Sequence, residues 1–399
     1  MNSQSLEIEK LVYGGEGLSR GPGGVVLVPF TLPGERVMAD VGAVQKGVRR
    51  GTLVGVEQAS QDRVNALCPY FTNCGGCHYQ HASYEPQLAA KRAILEETLA
   101  RVARITPPGP VELISAEPWN YRNRIQLHFD KRRMGFRAAR SHSLVEIDQC
   151  PISSPKLNEC IGKLAGMVKD PRWPEFLESV ELFTNEESVQ LNVIETQRPV
   201  AKRFFEWCAE EIQPLASEAL SYPAAGARYR VSKGSFFQVN RYLIDRLVEE
   251  VTGTESGDTA LDLYSGVGLF SIPLAQRFRR AIAVESGSTA MRDLEANAGQ
   301  IEQTLEASKG SVDSFLQEFA QPCDLVVADP PRAGLGKLAV KRLIALGPKR
   351  LTIVACDPAT LARDLAPLLA GGYTLTKVVM IDLFPHTYHI ETVAKLLRI

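Results

Sequence analysis

Short apolar runs alternate with helix-spaced apolar residues throughout the C-terminal part of the chain. The runs predict strands at 260–264, 281–285, 304–307, 325–329, 351–356, 373–381 and 389–396. Helices are predicted in the intervals as far as the sixth strand, whereas only a short loop around 384–387 separates the last two strands. These two strands therefore predict an antiparallel hairpin that closes a parallel sheet. The pattern indicates a Rossmann-like α/β domain.

Residues 1–60 instead show short apolar runs separated by turn residues. Strands are predicted at 6–11, 25–29, 36–44 and 49–57, with turns at Gly14-Gly15, Gly21–Gly24 and Pro33-Gly34. Four or five short strands in such a length are typical of an OB-like β-barrel. An oligonucleotide-binding role for this barrel follows by fold analogy alone.

The region between these two parts is less regular. One helix is predicted from about Gln87 to Arg104, with Leu88, Leu95, Leu99 and Val102 on its apolar face. Residues 111–230 alternate short strands and helices, and a second helix with a basic flank is predicted at 196–209. This middle region predicts an α+β domain.

Composition and charge narrow the classes of protein. A length of 399 residues predicts two or three domains, and a net charge of −1 does not by itself indicate a nucleic-acid binder. A basic stripe at 122–140, with Tyr121, Phe129 and Phe136 interleaved, suits an RNA backbone with stacked bases or a solvated hairpin. The N-terminus lacks a signal-peptide pattern and no apolar run is long enough to span a membrane, so a cytoplasmic location is expected.

Four of the eight cysteines follow a spacing that suggests a metal site. They are Cys68, Cys74, Cys77 and the distant Cys150. Gly75 and Gly76 allow the backbone to fold tightly, so that Cys74 and Cys77 can face one centre. All-cysteine ligation suits an iron–sulfur cluster or a structural zinc ion, and the uneven spacing is unlike that of paired zinc knuckles.

A glycine-containing loop follows the first strand of the C-terminal domain. In DLYSGVG, Gly266 and Gly268 allow a ligand to approach the backbone closely, but Ser271 stands where a dinucleotide site would have its third glycine. Glu285 ends the second strand, where a carboxylate can accept both ribose hydroxyls. Together with Tyr264 and Asp313, these residues predict a site for S-adenosylmethionine.

Cys356 stands at the end of the fifth strand, in LTIVACDPATLARD. Asp357 fits a helix N-cap and Pro358 fits the first helical position. A thiol just before a helix N-terminus is expected to favour the thiolate, although a cysteine here could also be a buried space-filler. The fourth strand ends in Asp329-Pro330-Pro331-Arg332, and the arginine replaces the aromatic residue that enzymes methylating exocyclic amines carry.

These parts suit methylation of a pyrimidine carbon. The C5 atom of uracil is a poor nucleophile until a thiolate adds at C6 and makes an enolate. A base must then remove the C5 proton so that the thiol can leave. Glu391, in HIETVAKLL, has apolar neighbours that predict burial and a raised pKa.

Taken together, the motifs resemble those of RNA uracil-5-methyltransferases, in particular the iron–sulfur enzymes that act on 23S ribosomal RNA. The resemblance covers nearly the whole chain. It rests on LEIEKLVYGGEGLSR, CPYFTNCGGC, YRNR, MGFR, FFQVN, LDLYSGVGLFS, VVADPPRAGL, VACDPATLARD and FPHTYHIETV. At position 269 this chain has Leu269, where a member of the family can present a polar asparagine.

The resemblance implies a role for each motif. Cys356 is implied as the nucleophile and Glu391 as the base, while Asp329 lies near the base and the cofactor. Gln238 joins the cofactor set of Tyr264, Gly266, Glu285, Asp313 and Asp329. The four cysteines 68, 74, 77 and 150 are implied to hold a [4Fe-4S] cluster.

The resemblance also implies the domain layout and the substrate. A TRAM barrel is expected at 1–60, an iron–sulfur and RNA-binding domain at 61–82 and 111–230, and the methyltransferase domain at 83–110 and 231–399. The expected reaction is formation of 5-methyluridine in 23S ribosomal RNA, with transfer RNA as the alternative substrate. A non-catalytic RNA-binding assembly factor is a second hypothesis, and cytosine-5 methylation is disfavoured because the fourth-strand motif has no cysteine. The sequence identifies neither the modified uridine nor the oligomeric state.

Overall fold

The computed structural model describes residues 3–21 and 23–399, so Pro22 of the predicted turn at 21–24 lies outside them, as do the first two residues. The chain forms two compact units. Unit 1 comprises the residues up to Glu97 together with Phe136–Ile147 and Phe384–His389. Unit 2 comprises Thr98–Gly135, Asp148–Leu383 and Ile390–Ile399. The division into three domains stays a prediction.

Unit 1 contains a six-stranded sheet. Its strands are β1 (Ser3–Glu7), β2 (Lys10–Val12), β3 (Glu16–Gly21), β4 (Gly24–Pro29), β5 (Arg36–Val41) and β6 (Val48–Gln58). They lie in the order β1-β5-β6-β4-β3-β2, in which β4 and β6 pair in parallel and the pairs β1–β5, β5–β6, β3–β4 and β2–β3 are antiparallel. Ile8, Val26, Val28, Val37 and Ala39 form its core. The strands predicted at 25–29, 36–44 and 49–57 are present as β4, β5 and β6. The strand predicted at 6–11 was wrong, because the chain leaves strand conformation at residues 8–9 and is divided between β1, which pairs with β5, and β2, which pairs with the additional strand β3.

The helix predicted at 87–104 is shorter and then changes type. Helix α1 spans Tyr84–Thr98, and a π-helix follows at Leu99–Ala103. Arg104 then ends the helical run in a left-handed conformation with φ 58°. Val102 is 55% exposed, so its assignment to the apolar face was wrong, because the wider π-turn rotates the residues that follow it.

The connection predicted as a short hairpin loop is held firmly in unit 1. The carbonyl of His386 accepts hydrogen bonds from the backbone N–H groups of His78 and Tyr79, at 2.7 and 3.0 Å. Lys91 is almost fully buried and donates to the carbonyl of Phe384 at 2.9 Å. Gln87 accepts from the N–H of His386 at 3.2 Å. These bonds satisfy the backbone of a segment that would otherwise be a solvated loop.

Smaller elements occupy the middle of the chain. They are β7 (Glu112–Ile114), β8 (Arg124–Asp130), β9 (Arg133–Arg137), β10 (Leu144–Glu146), α2 (Pro155–Met167), β11 (Leu177–Thr184), β12 (Val189–Thr196), α3 (Lys202–Glu211), β13 (Leu220–Ala224) and β14 (Ala227–Val231). In unit 2, residues 133–135 of β9 pair with β8, which pairs with β11 and then β12 in an antiparallel sheet. The helix predicted at 196–209 begins only at Lys202, because Thr196 still pairs in β12 with Leu177.

The basic stripe at 122–140 is largely engaged in structure. Tyr121 and Phe129 are buried in the core, so they are not available to stack on bases as predicted. Arg124 pairs with Glu181 at 3.3 Å and lies over the ring of Phe183. Further ion pairs of the stripe join Arg132 to Glu175, Arg133 to Asp130 and Arg140 to Glu16.

The largest element of unit 2 is an eight-stranded sheet. Its strands and helices are α4 (Ile244–Thr252), β15 (Gly257–Leu263), α5 (Ser271–Ala275), β16 (Phe278–Glu285), α6 (Ser288–Ala298), β17 (Leu305–Lys309), α7 (Val312–Glu318), β18 (Leu325–Ala328), α8 (Gly336–Leu346), β19 (Arg350–Ala355), α9 (Pro358–Ala370), β20 (Tyr373–Ile381) and β21 (Glu391–Arg398). The order is β17-β16-β15-β18-β19-β21-β20-β7, with only β21 antiparallel to its neighbours. All seven predicted strands are confirmed. The eighth, β7, pairs in parallel with β20.

This topology brings chemistry to one edge of the sheet. The carboxyl ends of β15 to β20 share that edge, and the reversed β21 brings its amino end there. Ligands of open α/β sheets bind at this edge. No helix in the described part of the chain is long and apolar enough to cross a membrane.

Candidate active site

Three predicted reactive residues follow or begin neighbouring strands at this edge. Ala355, the last residue of β19, pairs with Thr392 of β21, so Cys356 and Glu391 come next at the adjoining strand ends. Asp329 directly follows β18, the parallel neighbour of β19. The register therefore brings a thiol and two carboxyl groups together, although they are far apart along the chain.

The strand-to-helix turn at Cys356 forms as predicted. Strand β19 ends at Ala355, and Asp357 caps α9 by accepting hydrogen bonds from the N–H groups of Ala359 and Thr360, at 2.8 and 2.9 Å. Pro358 takes the first helical position, where its missing N–H is not needed. Cys356 is half-buried at the start of this helix.

The thiol of Cys356 is harder to ionise than the sequence suggested. Burial raises its pKa to about 11, and the negative charges of Glu391 and Asp329 add to the rise. The guanidinium of Arg332 acts in the opposite direction. The expectation that the helix N-terminus favours the thiolate was therefore wrong for the unliganded protein, because burial and two carboxylates outweigh the dipole.

The two carboxyl groups also favour their protonated forms. Burial raises the pKa of Asp329 to about 7. Glu391 is buried, as its apolar neighbours predicted, and its pKa is raised well above the usual range by burial and by the charge of Asp329. Two like charges this close oppose each other's ionisation, so the pair retains a proton more readily than either group would alone.

The loop after β15 has the conformation of a ligand-binding turn. Tyr264, Gly266 and Gly268 have positive φ angles of 63°, 57° and 94°. A Cβ at Gly266 would meet no atom within 4 Å, so this glycine borders open space, whereas one at Gly268 would lie 2.8 Å from Leu294. Gly266 thus leaves room for a ligand, and Gly268 permits close packing of α6.

Glu285 is fixed next to this loop. One of its carboxylate oxygens accepts a hydrogen bond from the N–H of Gly266 at 2.9 Å, and the other accepts from the N–H of Gly287 at 2.5 Å. Each oxygen has a second lone pair, so the carboxylate can still accept hydroxyl groups. Glu285 ends β16 as predicted, and its role toward a ribose stays a prediction.

The remaining members of the predicted cofactor set lie in different environments. Burial raises the pKa of Tyr264 to about 12, with Asp313 and Asp364 contributing negative charge. Asp313 is half-exposed in the first turn of α7, and Gln238 is buried. Leu269 is also buried, and its carbonyl accepts a hydrogen bond from the hydroxyl of Tyr229 at 3.2 Å.

Two contributions were missed in the sequence. Arg332 was noted only as a replacement for an aromatic residue, yet its charge favours the Cys356 thiolate. Asp262 is buried and accepts a hydrogen bond from the hydroxyl of Ser271, and burial raises its pKa to about 7. The presence of an aspartate in an otherwise apolar strand was the available signal.

The predicted cluster cysteines are divided between the two units. Cys68, Cys74 and Cys77 belong to unit 1, whereas Cys150 belongs to unit 2. The N–H of Gly76 donates to the sulfur of Cys74 at 3.4 Å, a bond that stabilises a thiolate, and the N–H of Gly75 donates to the Arg137 carbonyl at 3.0 Å. Over residues 3–21 and 23–399, no group of three or more histidine, cysteine or acidic side chains is arranged to hold a metal ion. The donor set has the chemistry for a cluster, and the site itself stays a prediction.

The sheet order, the reversed β21, the glycine loop and the carboxylate at the end of β16 define a methyltransferase of the S-adenosylmethionine-dependent class. Comparison with known proteins extends this assignment. Residues 212–399 match the family model described as tRNA (uracil-5-)-methyltransferase. An uncharacterized RNA methyltransferase of Aquifex aeolicus is 32% identical, over 98% of this chain and 97% of its own.

Two further relatives have assigned substrates. The 23S rRNA (uracil(1939)-C(5))-methyltransferase RlmD of Shewanella piezotolerans is 31% identical, over 98% of this chain and 94% of its own. The crystal structure of Pyrococcus abyssi tRNA (uracil-54, C5)-methyltransferase with S-adenosyl-L-homocysteine is similar over 99% of this chain and all of that one, with a TM-score of 0.78 and 28% identity. The chain belongs to the RNA uracil-5-methyltransferase family.

Proposed function

We propose that this enzyme forms 5-methyluridine in 23S ribosomal RNA through a covalent bond between Cys356 and C6 of the target uracil. The observation that carries the proposal is the meeting of Cys356, Glu391 and Asp329 at the sheet edge beside the glycine loop. A full-length relative named for 23S ribosomal RNA supports this substrate. Transfer RNA is the second candidate, because the structural relative is named for it.

In the proposed reaction, Cys356 reacts after losing its proton: the thiolate sulfur adds to C6, and the electrons of the C5–C6 double bond move to the C4 oxygen. The enolate then uses C5 as its nucleophile, and S-adenosylmethionine supplies the methyl group when bound. Glu391 next takes the proton from C5, the C5–C6 double bond re-forms, and the sulfur of Cys356 leaves with its electron pair. Glu391 can take the C5 proton only as a carboxylate. Because its pKa is raised, this proton transfer depends on how ligands bound at the sheet edge change the ionisation of Glu391.

We assign the cofactor to the open side of the glycine loop. Gly266 gives room for it, Glu285 has spare acceptor capacity for the ribose, and Asp313 and Tyr264 lie around the same strand ends. Gln238 and Asp329 complete the set by resemblance to the family. This set combines buried side chains with half-exposed ones, which suits a ligand that has both polar and apolar parts.

We also propose a [4Fe-4S] cluster on Cys68, Cys74, Cys77 and Cys150, with a TRAM barrel at 1–60. Four thiolate donors and the N–H donated to the sulfur of Cys74 support the cluster. Iron and acid-labile sulfide would be measured in anaerobically purified protein. Zinc in place of iron, or no metal at all, would contradict the cluster. The reaction proposed above transfers no electron, so it does not depend on this outcome.

The experiment that tests the function is incubation of unmodified 23S ribosomal RNA with the protein and methyl-labelled S-adenosylmethionine. Mass spectrometry of RNA fragments should locate the label on C5 of one or two uridines. Label on bulk transfer RNA alone would favour the second candidate. Labelling of neither RNA would refute the proposed reaction.

The covalent step has its own test. RNA containing 5-fluorouridine should become trapped on the protein, because the C5 fluorine cannot be removed as a proton. Cys356→Ala should abolish trapping, whereas Cys208→Ala, a change at a buried cysteine in α3, should not. With ordinary RNA, Glu391→Gln should methylate and then accumulate the adduct. Trapping by Cys356→Ala would rule out the proposed nucleophile.

A further inference from the structure

A cleft of about 310 Å³ lies in unit 2 beside the segment that carries Gln238. It lies between the turn after β14 and the first turns of α6. Its lining residues are Glu218, Arg230, Ser232, Lys233, Thr289, Arg292 and Asp293. None of them belongs to the set assigned above to catalysis or cofactor binding. Three of the seven side chains are cationic, and positive charge gathered in a cleft attracts anions.

The floor of the cleft is a satisfied carboxylate. Asp293 is fully buried and accepts hydrogen bonds from Arg230, from the N–H and hydroxyl of Ser232, and from the hydroxyl of Ser235, at 2.6 to 3.2 Å. These bonds fix the turn at 232–235. With four donors around it, Asp293 is not an available partner for the other two cations of the cleft.

Lys233 and Arg292 have no carboxylate within ion-pair distance among the residues that the structure describes. Lys233 is half-buried, its ammonium lies 5.7 Å from the ring centroid of Phe205, and desolvation lowers its pKa. Arg292 donates to the carbonyl of Ser288 at 3.4 Å. Glu218, on the rim, is 82% exposed and is 3.9 Å from Arg230.

This arrangement contrasts with that of the basic stripe at 122–140. Several arginines of the stripe are already paired with carboxylates, and two of its aromatic residues are buried. The cleft instead holds two cations without carboxylate partners. A few residues along the same turn, Phe236 is 61% exposed next to the buried Gln238. A polyanion passing this turn would find unpaired cations and an exposed ring together.

We propose that this cleft binds a backbone phosphate of the RNA substrate, with Lys233 and Arg292 as its cationic ligands. The inference rests on the proposed function only in taking RNA as the substrate. An ammonium and a guanidinium facing one pocket suit a tetrahedral phosphate, whose oxygens can accept from both. Such a phosphate site carries no base specificity and fixes the register of the RNA along the protein.

The test measures binding of a fluorescein-labelled oligouridine to the full-length protein over a series of salt concentrations. Lys233→Gln and Arg292→Gln should each weaken binding by roughly fivefold at moderate salt. Each should also reduce the slope of log K against log salt by about 0.7, because one phosphate is no longer neutralised by the protein. Lys233→Arg should restore most of the affinity. Arg279→Gln is the matched control, because Arg279 is 83% exposed at the amino end of β16, the opposite end from the site.

The outcomes separate this inference from the proposed function. Unchanged affinity and slope in both variants would overturn the phosphate site. Weaker binding of S-adenosylmethionine by calorimetry, with RNA binding unchanged, would also overturn it and would assign the cleft to the cofactor. The assay measures RNA binding and needs no methyl transfer. The phosphate site can therefore be tested even if the unaltered protein fails to methylate the RNA.

Discussion

The electrostatic environment of Cys356 predicts how fast this thiol reacts in the unliganded protein. With a pKa of about 11, only about one thiol in a thousand is ionised at pH 8. An unperturbed cysteine, with a pKa of about 8.5, is roughly one quarter thiolate at that pH. The more basic thiolate recovers about tenfold through its greater nucleophilicity. Alkylation of Cys356 should therefore be roughly 20-fold slower than that of an ordinary exposed cysteine.

Two substitutions should shift this rate in opposite directions. Glu391→Gln removes a carboxyl group whose ionised form raises the thiol pKa, so alkylation should become faster. The gain should grow as pH rises, because the raised pKa of Glu391 keeps this group protonated at lower pH. Arg332→Gln removes a positive charge that lowers the pKa, so alkylation should become slower. Glu318→Gln, which neutralises an exposed carboxylate on α7, should leave the rate unchanged.

The assay follows incorporation of iodoacetamide into a single peptide by mass spectrometry. Trypsin cleavage after Arg350 and Arg363 releases residues 351–363, in which Cys356 is the only cysteine. The rate should keep rising with pH beyond 9. An apparent pKa at or below 8.5, or equal rates in Glu391→Gln and the unaltered protein at every pH of the series, would refute the reasoning.

Three further predictions concern stability and cofactor binding. Burial raises the pKa of Asp262 to about 7, so the folded state loses stability as pH rises from about 4 to 7. Asp262→Asn should therefore raise the melting temperature more at pH 8 than at pH 4.5, and equal gains at the two pH values would contradict this. Gly75→Ala would place a Cβ 3.1 Å from the backbone of Ala139, so it should lower the free energy of unfolding measured with denaturant by about 1–3 kcal/mol. The Cβ of Gly76→Ala would lie 3.6 Å from the sulfur of Cys74, so this control should lower it less. In Gly266→Ala the added Cβ meets no atom within 4 Å, so the protein should still fold, with a backbone strain of about 1–2 kcal/mol from the positive φ. Calorimetry should show S-adenosylmethionine binding weakened roughly tenfold, and an unchanged affinity would mean that the cofactor does not bind at this loop.

The catalytic sheet was predictable because most of its strands contain a short apolar run and helices with regular apolar spacing separate them. Strands β7 and β3 show where such a signal is missing. The β7 segment has only three residues, none of them fully buried, and it exists because it pairs with β20. The β3 segment, EGLSRG, is poor in strand-forming residues and is held by β4. Whether such a segment forms a strand depends on its pairing with residues distant in the sequence and not on its local propensity.

The same distinction explains what was predictable in the site. Local patterns placed Cys356 within one residue of the end of β19 and identified Asp357 as the cap of α9. The ionisation of its thiol could not be read locally, because Glu391 and Asp329 act on it from other strands. The sheet order brings these charges together, and it reverses the expectation based on the helix alone.

The unliganded edge therefore has a protonated thiol and two carboxyl groups that resist ionisation, a state that a positive charge would change. S-adenosylmethionine carries such a charge on its sulfonium, whereas S-adenosylhomocysteine has the same shape and a neutral sulfur. If the ligand binds beside Asp329 as proposed, the sulfonium should lower the pKa values of all three groups. Alkylation of Cys356 at pH 8 should then be faster with S-adenosylmethionine than with S-adenosylhomocysteine, each at saturation. Equal rates would show that the cofactor charge does not reach the thiol, and the thiol would then have to be activated by the RNA.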